Sequence, residues 1–121
     1  MENHYHDEQE IRAVVTGFEE CTTGKADFTH VSHLTVATYY LCRLTPDESF
    51  EKMRSGLFRF LDHRGIDRTK YKEQLTRDWI TLVHGVVAQM GPDTSVVDVT
   101  NEVIQKYGKL RLPEAANGET Q

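Results

Sequence analysis

Cysteine is scarce in this 121-residue sequence, at Cys21 and Cys42 only and with no CxxC pair, which argues against both a zinc ribbon and a disulfide framework. No apolar run approaches the ~18 residues of a membrane span. The opening MENHYHDEQE lacks the basic and apolar regions of a signal peptide, so a cytoplasmic location is the expectation. Basic residues are also in deficit, 14 Lys and Arg against 19 Asp and Glu for a net charge of -5. A dedicated nucleic-acid binder usually presents a basic face, so that class is disfavoured. Repeats and low-complexity segments are missing as well.

What remains is the balance of an ordinary folded chain, with 38% hydrophobic and 27% charged residues. The length suits one domain, which buries roughly two-thirds of its unfolded surface and needs no staple to fold. Apolar residues recur at helical spacing. Ile11, Val14, Val15 and Phe18 form one stripe, predicting a helix from about Asp7 to Thr22 with Gly24 as its stop. Thr29 is a suitable N-cap for a second helix carrying Leu34, Ala37, Leu41 and Leu44. Thr45-Pro46-Asp47 ends it and opens a third, to His63, with Phe50, Met53, Leu57, Phe60 and Leu61 inside. A fourth is expected from Thr69 to Met90, and its broad apolar face makes it the expected central element. Gly91-Pro92-Asp93 stops it, and Val96, Val99, Val103 and Tyr107 mark a fifth from Ser95. The fold class is therefore all-α, a single small bundle of four to five helices ordered over about 7–112, with both termini loose.

Chain geometry then places the polar residues. The short Thr45-Pro46 turn makes the second and third helices antiparallel neighbours. At ~1.5 Å per residue, His30 and His33 lie ~18–23 Å behind the turn and Asp62 and His63 ~24–26 Å ahead of it. The third helix thus ends beside the start of the second, where the fourth also begins, bringing in Arg64, Arg68, Tyr71, Lys72, Glu73 and Thr76.

His30 and His33, three apart, share a helix face. That spacing serves a divalent metal or an acid–base pair. The positive end of the helix dipole keeps a first-turn imidazole neutral, as a ligand or electrophile requires. The plain alternative is that both histidines cap or hydrogen-bond a loop. His63 would complete a metal site for zinc, iron or manganese with His30 and His33. Glu73 is the candidate base or carboxylate ligand, and Lys72 and Arg64 the candidates for holding negative charge. Tyr71 and Thr76 are candidate hydrogen-bond donors. Trp79 and His84 read as packing residues, and His4 and His6 as part of a frayed terminus.

The stretch from Phe28 to Leu41 follows F-x-H-x-x-H-L-x-x-A-x-x-Y-L, and Lys70 to Trp79 follows K-Y-x-E-x-L-T-x-x-W. In these two motifs, over roughly residues 18–90, the chain resembles a small uncharacterised bacterial family of helical proteins. Its second motif reads K-Y-H-E-T-L-T-x-x-W, so Lys72 stands for His and Gln74 for Thr. The resemblance implies that His30, His33 and a further polar cluster meet at one site. Lysine at the third position works against a metal, because a protonated amine cannot coordinate.

The leading expectation is a His-rich polar pocket at one end of the bundle that binds or transforms a small anionic molecule, with or without a metal. The alternative is a non-catalytic interaction or structural protein. It would be a homodimer using apolar surplus on the third and fourth helices, with Phe58 and Ile80 left over. A nucleic-acid partner would rest only on Arg54, Arg59, Arg64 and Arg68.

Overall fold

The computed structural model describes residues 4–24 and 27–110. The expected link at Lys25-Ala26 and the tail beyond 110, with the docking expected of Leu112, lie outside the described residues. Within them the protein is all helical: α1 (Glu8–Glu19), α2 (His30–Leu41), α3 (Pro46–His63), α4 (Glu73–Met90) and α5 (Val96–Tyr107), with one 3₁₀ turn at Arg68–Lys70. No described helix is long and apolar enough to cross a membrane.

Local chemistry sets the helix starts. Asp7 with Glu10, Thr29 with Ser32 and Thr45 with Glu48 form reciprocal capping boxes, and Ser95 caps the Asp98 N–H. Such caps satisfy donors that the helix itself leaves unpaired. α4 starts differently: Lys72 occupies the cap position and makes no side-chain cap bond.

α2 is the hub, in place of the expected α4. It packs against all four other helices. Leu34, Thr35, Val36, Ala37, Thr38, Tyr40 and Leu41 are buried around its whole circumference. Its twelve residues include no Asp, Glu, Lys or Arg, the pattern of a helix enclosed on every side. The two threonines are tolerated there because each hydroxyl donates to the carbonyl one turn back. Thr35 bonds Val31 at 2.8 Å and Thr38 bonds Leu34 at 2.7 Å.

The amino-terminal segment is also part of the core. Tyr5 is 7% exposed. Its hydroxyl donates to Thr35 Oγ1 at 3.0 Å, since the Thr35 hydrogen is already given to Val31. Its backbone N–H and carbonyl exchange hydrogen bonds with the Asn101 amide at 2.9 and 3.0 Å. The expected fraying thus stops short of Tyr5. Isolated polar letters conceal a contact made 96 residues away.

α1 ends earlier than expected, and Gly24 is not its stop. Cys21 adopts φ 59°, the left-handed conformation usually given to glycine. The Thr22 N–H reaches the Gly17 carbonyl and the Cys21 N–H that of Phe18, closing the turn. The remaining carbonyls are met from α3. Arg59 donates to Glu19, and Arg64 to both Cys21 and Thr23.

Above this clamp α1 and α3 approach closely at Gly56. A Cβ there would lie 2.5 Å from Phe18 Cε2, and Phe18 is fully buried against Phe28 and Phe60. Gly85, in mid-α4, has nothing within 4 Å of its Cβ position. Two alanine substitutions should therefore act in opposite directions. Gly56→Ala is expected to destabilise by about 1–2 kcal/mol, overpacking outweighing the gain in helix propensity. Gly85→Ala is expected to stabilise by about 0.5–1 kcal/mol. Urea denaturation of the two variants checks both signs.

Candidate functional site

The fourth helix does not run from Thr69. The Asp67 carboxylate accepts from the Thr69 N–H at 2.9 Å and closes a 3₁₀ turn. Arg68 is drawn back onto α3 by a two-pronged bond to Asp62 at 3.0 and 2.7 Å. Tyr71 and Lys72 then continue in extended backbone before α4 begins at Glu73. This short detour forms one wall of a cavity of about 490 Å³, open to solvent between α2, α3 and α4.

Phe28, Leu34, Met53, Leu57, Phe60 and Ile80 supply much of its apolar lining. Six polar residues also line it: His30, His33, Lys70, Tyr71, Lys72 and Thr76. Five of these were expected from the sequence. Lys70 was not, because its position depends on the Asp67 turn. Among the described residues no carboxylate lines the cavity.

The two histidines are held by backbone carbonyls. His30 Nε2 donates to the Tyr107 carbonyl at the end of α5 (3.0 Å), and its ring packs against Trp79 with centroids 4.9 Å apart. His33 Nδ1 donates to the Thr29 carbonyl (3.1 Å), and its ring meets Phe28 edge-on at 4.5 Å. Carbonyls only accept, so in the neutral rings the free lone pair belongs to Nδ1 of His30 and Nε2 of His33. Burial, with help from the neighbouring His30 and against the pull of the Thr29 carbonyl, pushes the His33 imidazole down to about 4. At neutral pH His33 is therefore an uncharged acceptor and a weak base, poorly matched to proton transfer near pH 7.

Tyr71 stands at the junction. Its ring packs on Phe58 at 4.7 Å, and its hydroxyl is buried with no hydrogen-bond partner. The adjacent Thr76 hydroxyl gives its own hydrogen to the Lys72 carbonyl at 3.0 Å, so toward Tyr71 it can only accept. Burial raises the phenol above its usual range, so it keeps its proton as an available donor.

Three expected site residues lie elsewhere. Glu73 turns outward to Arg54 at 2.9 Å and Arg77 at 3.8 Å and does not line the cavity. Arg64 is occupied by the Cys21 and Thr23 carbonyls, so it holds the end of α1 rather than an anion. His63 is exposed at the end of α3 and does not join His30 and His33. Among the described residues no three His, Cys, Asp or Glu side chains gather as a metal site would require. The donor set expected for zinc, iron or manganese is thus not assembled: the cavity offers two imidazoles with lysines for neighbours.

The features behind the other readings are also accounted for. Ile80 is 5% exposed, and Phe58 lies beneath the guanidinium groups of Arg54 and Arg68 at 4.8 and 4.6 Å. Arg54, Arg59, Arg64 and Arg68 each have an acidic or carbonyl partner within the fold. Comparison with protein-family models, with curated proteins and with solved structures finds no match for this chain.

His33 makes the fold sensitive to acid in a defined window. The unfolded ring titrates near 6.5 and the folded one near 4. Between these values the unfolded chain holds more protons, so stability is complete above 6.5 and is lost as pH falls toward 4. From pH 7.5 to 5.0 the His33 contribution is expected to cost on the order of 1–2 kcal/mol, allowing for partial exposure of the ring. The same pH step applied to His33→Gln should show a loss smaller by that amount, measured from urea midpoints.

Proposed function

We propose that this protein binds a small organic anion in the α2–α3–α4 cavity and does so without a metal. The observation that carries this reading is charge in the lining: Lys70 and Lys72 at the rim and, among the described residues, no carboxylate along it. In a concave, mostly apolar site, a few placed polar groups set ligand orientation and two ammonium groups set ligand charge. Glu73, the nearest acid in sequence, is neutralised by Arg54 and Arg77 and does not oppose that charge. Binding is favoured over catalysis because His33 is too weak a base to exchange protons near neutrality, and Glu73 stands outside the cavity. The role of His30 and His33 is to shape the wall, and His33 also offers an uncharged acceptor. Their backbone partners fix both rings in place.

Trp79, the single tryptophan of the chain, lines the cavity and serves as the reporter. Titration with 8-anilinonaphthalene-1-sulfonate should quench it by energy transfer, saturating at one dye per chain. In the Lys70→Ala/Lys72→Ala variant the dye should bind at least about fivefold more weakly, in keeping with the modest worth of exposed ionic contacts. Uncharged N-phenyl-1-naphthylamine should bind both proteins alike. Equal affinity of the sulfonate for both proteins would sink the reading.

A further inference from the structure

The cavity is chemically lopsided, and that asymmetry narrows the ligand. Its lysines, Tyr71 and Thr76 come from the continuous stretch 70–76, while Phe28 and the α3 residues Met53, Leu57 and Phe60 contribute apolar surface. A wholly polar anion would strand that apolar surface, and a hydrocarbon would leave the lysines and Tyr71 unmatched. We infer that the ligand is an amphiphilic monoacid, an alkyl or aryl carboxylate, whose chain lies among Phe28, Met53, Leu57 and Phe60. Its carboxylate meets Lys70, Lys72 and the Tyr71 hydroxyl. The inference rests on the anion-binding reading above and specifies its ligand class.

Three observations select this class. The Tyr71 hydroxyl is buried and, among the described residues, makes no hydrogen bond, with the Thr76 hydroxyl oxygen as its polar neighbour, an arrangement costly to leave unmatched and one that a carboxylate oxygen completes. Among the described residues no arginine lines the cavity: Arg54, Arg64 and Arg68 are each engaged within the fold, and Arg77 pairs with Glu73 at 3.8 Å. Planar, two-pronged recognition of a phosphate is not what this lining supplies, which favours a single carboxylate over a phosphorylated ligand. His33 contributes apolar ring surface to the wall and no charge at neutral pH, since it meets Phe28 edge-on and remains unprotonated.

The test is a homologous series on the full chain, followed by Trp79 fluorescence and calorimetry at pH 7.5: acetate, butyrate, hexanoate, octanoate and decanoate below their aggregation limits, with decanol and inorganic phosphate beside them. Affinity is expected to rise up to about fourfold per methylene until the cavity is full. Decanol should bind at least about tenfold more weakly than decanoate. Tyr71→Phe, which keeps the ring on Phe58, should weaken decanoate severalfold and leave decanol unchanged. Affinity that stays flat from acetate to decanoate, or phosphate bound more tightly than any carboxylate, overturns the amphiphile and leaves an anion-binding cavity standing. Decanol bound as tightly as decanoate overturns the head-group assignment. If no anion in the series binds, or if binding is indifferent to Lys70→Ala/Lys72→Ala, the anion-binding reading falls with it.

Discussion

The burial of α2 on every side is the constraint from which the rest of the architecture follows. An uncharged helix enclosed by four others has no solvent face on which to place polar groups. Each polar side chain in its middle must be satisfied internally, and Thr35 and Thr38 do this with their own helix. The core around it is then closed by long-range pins that end on α2 itself. Tyr5 reaches in from the amino-terminal segment, and Tyr40 donates to Glu19 of α1 at 2.6 Å. Burial and that carboxylate together push the Tyr40 phenol far above its ordinary range, so the donor role is permanent. Only at its first turn does α2 emerge from the core, and there it carries His30 and His33. The position of the cavity is thus a consequence of packing: it lies where the central helix begins and its neighbours no longer close over it.

Arginine is used in this protein chiefly to finish helices and turns. α1 has no basic residue in its last turn, so its C-terminal carbonyls receive Arg59 and Arg64 from α3. Arg68 ties the 3₁₀ turn to Asp62, and Arg54 ties α3 to Glu73 at the first turn of α4. Exposed pairs of this kind contribute little individually. Their effect is positional, since together they hold the 64–72 segment against the end of α3 while Tyr71 is laid over Phe58. With the arginines so engaged, positive charge at the cavity falls to lysines. That division of labour separates the groups that hold the fold from those free to meet a ligand.

Much of this was legible in the sequence because it follows from periodicity and punctuation. Thr29, Thr45-Pro46 and Gly91-Pro92 marked real boundaries, and the length of α3 alone carried its far end to the start of α2. What was not legible depends on contacts between distant residues. The amphipathic stripe of α4 drew attention as a sign of centrality, yet a strong stripe belongs to a helix with one face outside. The hub was the helix with little stripe at all, and the lack of charge along α2 was the signal that could have identified it. Proximity along the chain puts Arg64 among the anion-handling candidates, while its guanidinium is committed to the Cys21 and Thr23 carbonyls in the turn after α1. Lys70 carries no such signal in the sequence, because its place in the lining depends on the Asp67 turn.

The same reasoning explains why Glu73 and His33 are set apart although both belong to the stretches that converge. A carboxylate in an apolar cavity is tolerated only with a fully satisfying partner, and the nearest cations, Arg54 and Arg77, lie on the outer side of α4's first turn. Glu73 therefore turns outward with them. An imidazole has an easier alternative, since it can shed its proton and remain as a half-apolar ring. His33 does so, giving its one N–H to the carbonyl of its own helix cap and its edge to Phe28. Desolvation thus sorts the titratable groups. His33, able to become neutral at little cost, lines the wall, Glu73 is paired outside, and the lysines remain at the exposed rim.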